Sequence, residues 1–214
     1  MQKLRMVVTS DDLSVQTLPL FYKYWKPLKQ KHPKLKVTFF VPVNYSEFNY
    51  NKENNISQNS EFIRWFNENK SWCDVECHGY FHMKEPENLL GYEEQLKTLK
   101  NMLDVMKPFL DKDCYGYKAP YYRMNENTIK ILMELGFSWI NQWWYLMPLK
   151  AIKKPITPII EFGSHTGFPQ ANNQDNIDKI YDEIDDKLTD IETINEVEYQ
   201  YITLREVMKE VLNG

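Results

Sequence analysis

The sequence predicts an α/β fold, on three observations. Short β-like runs alternate with longer helical patterns from one end to the other. Most of those runs end in a polar or glycine-bearing loop, and no internal repeat interrupts the alternation.

In chain order, strands are expected at Leu4 to Thr9, Val37 to Val41, Asp74 to Cys77, Tyr115 to Tyr117, Phe137 to Ile140, Ile156 to Phe162 and Tyr199 to Thr203. Helices are expected at Ser60 to Asn69, Leu89 to Phe109, Asn125 to Leu135, Gln174 to Asp190 and Leu204 to Leu212, each with apolar residues three and four apart. Ser60 and Asn125 read as helix caps. Asn44 to Asn59 and Gln170 to Asn176 are crowded with Asn and lack periodicity, so they read as surface loops. Such loops serve as connectors or as lids over a site.

At 214 residues with 43% hydrophobic content, the chain fits one domain spanning 1-214 with one core. The balance of 26 basic and 30 acidic residues gives a net charge of -4, which excludes the electrostatic footprint of a nucleic-acid or anionic-membrane binder. The start, MQKLRMVVTSDD, shows no apolar signal core, and charges or prolines break every apolar run. Cys73, Cys77 and Cys114 are odd in number and too few for a disulfide framework. The expectation is a cytoplasmic protein without membrane contact. Oligomeric state is not legible.

Three of the four histidines, His78, His82 and His165, fall at or just beyond the ends of expected strands; His32, before Pro33, does not. In α/β folds with parallel strands, that edge is where sites assemble from successive loops. The first valine-rich run ends in Thr9-Ser10-Asp11-Asp12, two adjacent carboxylates that could equally belong to a turn or a helix cap. Two imidazoles four apart follow Cys77, in His78-Gly79-Tyr80-Phe81-His82. On a helical turn, that spacing puts both rings on one face, where they can share a metal. Lys118-Ala119-Pro120-Tyr121 and Gly163-Ser164-His165-Thr166-Gly167 follow two further strands. Each motif is weak alone; their order and matched positions give them weight.

With these motifs in this order, nearly the whole chain resembles the polysaccharide deacetylase family, carbohydrate esterase family four, with its NodB homology domain. The resemblance implies a distorted (β/α) barrel, seven-stranded and NodB-like, with its site at the C-terminal strand ends. It implies Asp11 as general base, Asp12, His78 and His82 as metal ligands, Lys118 to Tyr121 as the counterpart of an Arg-x-Pro-Tyr motif, and His165 as general acid. The ending, Tyr201 to Val207, is similar to the last strand and helix of such domains. Four positions depart. Lys118 replaces an arginine, which turns a planar fork into a point charge. Gly79 replaces Ser or Thr, Gly163 replaces Leu, and Asn141, near Trp143 and Trp144, stands for an Asp, which leaves His165 without a carboxylate partner.

What the resemblance implies is a metal-dependent hydrolase that removes an acetyl group from an N-acetylated amino sugar or polysaccharide. Two imidazoles and a carboxylate suit zinc or another divalent first-row ion with open positions for water and a carbonyl. Asp11 would take a proton from that water, the Tyr121 backbone N–H would stabilise the oxyanion, His165 would protonate the leaving nitrogen, and Lys118 would keep Asp11 ionised. Trp139, Trp143, Trp144 and Tyr145 could stack on a sugar ring, and Tyr121 with Tyr122 could flank the site, but most of these read first as packing. A second reading is a non-catalytic carbohydrate-binding or regulatory protein that keeps the metal site. A structural zinc cluster of Cys73, Cys77, His78 and His82 is disfavoured because adjacent strand residues face opposite ways. A two-carboxylate glycosidase is disfavoured because Asp11 and Asp12 are adjacent.

Overall fold

A computed structural model describes residues 4–44, 55–82, 89–142, 145–154, 156, 160–164, 174–193 and 198–213. The elements in chain order are β1 (Leu4–Asp11), α1 (Leu18–Leu20), a π-helical segment (Phe21–Trp25), α2 (Lys26–Lys31), β2 (Val37–Val41), α3 (Ser60–Asn69) and β3 (Cys73–Cys77). There follow α4 (Tyr92–Met106), β4 (Gly116–Tyr117), α5 (Glu126–Glu134), β5 (Trp139–Gln142), β6 (Tyr145–Pro148), β7 (Ile160–Ser164), α6 (Gln174–Glu192), β8 (Tyr199–Tyr201) and α7 (Leu204–Asn213).

Seven strands lie in the order β6-β5-β4-β3-β2-β1-β7 and make a curled, open barrel wall. Only the β5–β6 pairing at the edge is antiparallel. β8 stands off this path and pairs with Leu4–Met6, at the start of β1, whereas β2 pairs with β1 from Val8 onward.

Period-two alternation divides the apolar residues between the two faces of the sheet. Met6, Val8, Phe39 and Val75 join Phe21, Trp25, Phe62, Trp65 and Leu99 in the larger core. Val7, Phe40 and Trp139 join Leu204, Val207, Met208 and Val211, so α7 covers the other face. Its first turn is fixed by Thr38 Oγ1, which accepts from the Leu204 N–H at 3.0 Å, and by Arg205, whose Nε donates to the buried Glu76 at 2.7 Å. Thr9 and Asp11 continue the α7-facing side of β1 toward the strand end.

Local chemistry sets the helix starts. Asn125 and Thr128 form a capping box on α5. On α3 the cap is Asn59, whose side chain accepts from the Phe62 N–H at 2.8 Å, so the expected cap Ser60 is the first helical residue instead. The helical stretch from residue 18 to 31 has no counterpart among the expected helices; Pro19 sits in its first turn, where a missing N–H costs nothing, and Pro27 follows directly on the π-helical segment. His32 is buried between Asp185 Oδ1 at 2.8 Å and Glu192 Oε2 at 2.9 Å, tying the end of α2 to α6. Among the described residues no helix is long and apolar enough to cross a membrane.

Candidate metal centre and active site

Three strands of the parallel sheet, β1, β3 and β4, deliver the site. β1 ends at Asp11, and Asp12 turns off it with φ 69°, its N–H donating to the Phe40 carbonyl at 2.8 Å. β3 ends at Cys77, and His78 follows with its N–H on the Val41 carbonyl at 3.0 Å. β4 ends at Tyr117, and the Lys118 N–H donates to the Cys77 carbonyl at 3.0 Å.

The segment from His78 to His82 is not a helical turn, as the four-residue spacing suggested. Gly79, at φ +81°, lets the chain bulge by one residue, and Phe81 then pairs with Asn44 in a parallel bridge that continues the β2–β3 pairing. Side chains at this turn are constrained: a Cβ on Gly79 would meet Pro120 Cγ at 2.7 Å, which accounts for glycine between the two histidines.

The turn brings both imidazoles onto Asp12. His78 Nε2 and His82 Nε2 each lie 3.1 Å from Asp12 Oδ1, and all three side chains are buried. His78 Nδ1 donates to the Lys118 carbonyl at 2.8 Å, which leaves Nε2 as the lone-pair atom of the neutral ring. Among the described residues, no donor other than these two imidazoles faces Asp12 Oδ1. Three electron-rich atoms thus converge within 4.8 Å of one another, and a divalent cation is the partner that chemistry fits. Burial alone would lower the His78 pKa, but the Asp12 charge and contact outweigh it and raise the value.

Asp11 sits beside this cluster, with its Oδ1 2.8 Å from Lys118 Nζ. The ammonium also lies 5.0 Å from the Phe40 ring centre and 5.2 Å from that of Tyr122. Burial pulls the Lys118 pKa down, yet Asp11, Tyr122 and Glu161 together hold it above its ordinary value. The Tyr121 ring centre is 4.8 Å from that of His82. Tyr121 and Tyr122 have φ values of 54° and 56°; with Asp12 they are the non-glycine residues of positive φ among the described residues. Backbone strain of roughly 1–3 kcal/mol per residue is therefore gathered at this one place.

Solved structures bear on the fold. A pseudoenzyme of carbohydrate esterase family 4 from Bacillus anthracis superposes with TM-score 0.61 at 15% identity, over 98% of this chain and 66% of that chain. A family 4 acetyl xylan esterase from Clostridium thermocellum, in complex with a cobalt ion, gives 0.58 at 12% identity, over 96% of this chain and 91% of that one. A chitin deacetylase from the fungal pathogen Colletotrichum lindemuthianum gives 0.56 at 17% identity, over 97% and 88%. This chain has the carbohydrate esterase family 4 fold. No protein-family model and no curated protein matches the sequence.

Within that family 4 fold, Asp11, Asp12, His78, His82, Lys118 and Tyr121 lie close together. His165, Trp143 and Trp144 lie outside the described residues. Trp139 is fully buried against α7, and Tyr145 is exposed on the edge strand. Cys73 and Cys77 belong to the larger core, so the cysteine-containing zinc cluster does not form; Asp12, His78 and His82 are the one metal-competent group among the described residues.

Sequence reasoning missed Glu161. It was read as part of an apolar strand, Ile156 to Phe162, whereas β7 begins at Ile160 and the Glu161 side chain meets Thr9 Oγ1 and Asn141 Nδ2, each at 3.3 Å. An acid inside an apolar run was the available signal, since a carboxylate so placed needs partners.

Proposed function

We propose that this protein is a metal-dependent hydrolase that removes an acetyl group from an N-acetylated amino sugar or polysaccharide. The observation that carries this reading is the convergence of Asp12 Oδ1, His78 Nε2 and His82 Nε2 beside a buried Asp11–Lys118 pair. Such a set provides three metal donors and, separately, a carboxylate held for proton transfer.

In this reading, Asp12, His78 and His82 hold a divalent ion, with zinc the first choice. An ion held there would make a bound water more acidic and polarise the acetyl carbonyl. Asp11 takes the proton of the attacking water, held in place by Lys118. The Tyr121 backbone N–H donates to the oxygen on which negative charge develops. His165 gives a proton to the departing nitrogen. Three free thiols, all buried, agree with a cytoplasmic setting for this activity.

The test is metal analysis of the purified protein, together with acetate release from a panel of N-acetyl sugars, oligosaccharides and nucleotide sugars. Bound metal with acetate release, abolished by chelation while the far-UV circular dichroism stays unchanged, supports the reading. Bound metal without release from any substrate makes the protein a binding or regulatory member of the fold. Absence of metal affinity ends the proposal.

A further inference from the structure

Glu161 has no part in the reaction just described, yet it lies on the site's side of the sheet. Its β7 position is opposite Val7 of β1, whose next two alternate residues are Thr9 and Asp11. Thr9 Oγ1 donates to Glu161 Oε1 at 3.3 Å. Asn141 Nδ2 faces both Glu161 oxygens, each at 3.3 Å. The Asn141 side chain is fully buried, and its Oδ1 has no hydrogen-bond partner among the described residues. The amide is therefore turned to serve Glu161 at the expense of its own carbonyl. Burial pushes the Glu161 carboxyl up, and Lys118 is foremost among the groups that pull it back; Glu161 in turn helps hold Lys118 charged. Asp11 thus holds the buried Lys118 ammonium directly, while Glu161 is held by Thr9 and Asn141 on the same side of the sheet.

We propose that Glu161 is a positioning residue of this site, which fixes the Lys118–Asp11 pair through Thr9, Asn141 and the charge of Lys118. Because Asn141 and Glu161 face each other, the carboxylate and the amide can in principle exchange places across β5 and β7. The catalytic consequence rests on the proposed hydrolase; the coupling to Lys118 does not.

Two measurements test this. The first needs no activity: urea unfolding of wild type, E161Q, K118M and the double variant. E161Q is expected to lower the folding constant of wild type by on the order of tenfold and to raise it in K118M, where the two carboxylates repel. The same effect in both backgrounds would overturn the proposal. Should K118M not fold, D11N/K118M serves as the background, in which E161Q must no longer lower the folding constant. The second measurement is acetate release. E161Q is expected to lower kcat about tenfold with KM and metal content unchanged, and adding N141D to E161Q to restore kcat to within about threefold of wild type. An unchanged kcat in E161Q, or no rescue by N141D, would overturn the positioning role. If wild type releases no acetate, the hydrolase reading fails on its own, and the unfolding cycle decides whether Glu161 holds Lys118.

Discussion

Lys118 Nζ lies 2.8 Å from Asp11 Oδ1, with the two side chains only 4% and 3% exposed. Lys118→Met would strand a carboxylate away from water, so a loss of about 3–5 kcal/mol is expected in urea unfolding, with loss of turnover. The Lys118 pKa is raised in the fold, so its contribution is complete below the unfolded lysine value and disappears only as pH rises through the higher folded one. The difference between wild type and Lys118→Met should therefore hold steady between about pH 6 and 9. Lys118→Arg keeps the charge and is expected to retain activity within about tenfold.

Asp11 and Asp12 are adjacent but meet different partners, and their variants should separate. Asp12→Ala removes one of three donors, so metal content and rate fall together and excess metal partly restores both. Asp11→Asn leaves all three donors in place, so metal stays while turnover drops by on the order of a hundredfold or more. Equal loss of metal in both variants would show the roles to be wrongly assigned.

Gly79 turns the chain between the two histidines at φ +81°, with Pro120 Cγ 2.7 Å from where a Cβ would stand. Gly79→Ala is expected to cost about 1–2 kcal/mol from the left-handed backbone alone. Displacement of the turn should also weaken metal binding by roughly 10–100-fold, read by competition with a chromogenic chelator. Unchanged affinity would mean that the loop carries the imidazoles without help from this turn.

Arg205 and Glu76 lie beneath the site, where burial pushes the Glu76 carboxyl up to about 7 despite the guanidinium beside it. Arg205→Met removes that cation, and the cost is expected at about 3–5 kcal/mol where Glu76 must ionise. Because the folded pKa of this acid is raised above its unfolded value, the penalty is fully present above the folded pKa and fades as pH falls toward the unfolded one. Urea midpoints of the variant and wild type should therefore approach each other on going from about pH 8 to about pH 5. A gap that widens toward acid would contradict this.

Strong local signals were legible in the sequence. β2 and α3 begin and end where periodicity placed them, and Asp12, His78 and His82 meet because each follows a strand in a parallel sheet, whose C-terminal edge collects successive loops. The stretch from 18 to 31 was missed because two prolines and the aromatic run Phe21-Tyr22-Lys23-Tyr24-Trp25 mask its period, and the last of these coils as a π-helix. β6, only Tyr145–Pro148, carries no alternation of its own and exists through pairing with β5. Glu161 depends on register: only the alignment of β7 with β1 reveals that it faces Thr9 and not the larger core.

The division of β1 into two faces has a consequence for how this protein can change. Residues such as Met6 and Val8 answer to the aromatic packing of Phe21, Trp25 and Trp65, where almost any replacement is felt across the whole fold. Thr9 and Asp11 answer to a few polar neighbours on the other side. Variation confined to the loops leaving the strand ends can redraw what the site accepts while both faces of the sheet, each packed under helices, stay as they are. A library built for new substrates should be drawn along that line, sampling the loop residues beyond the strand ends and leaving the strands themselves untouched.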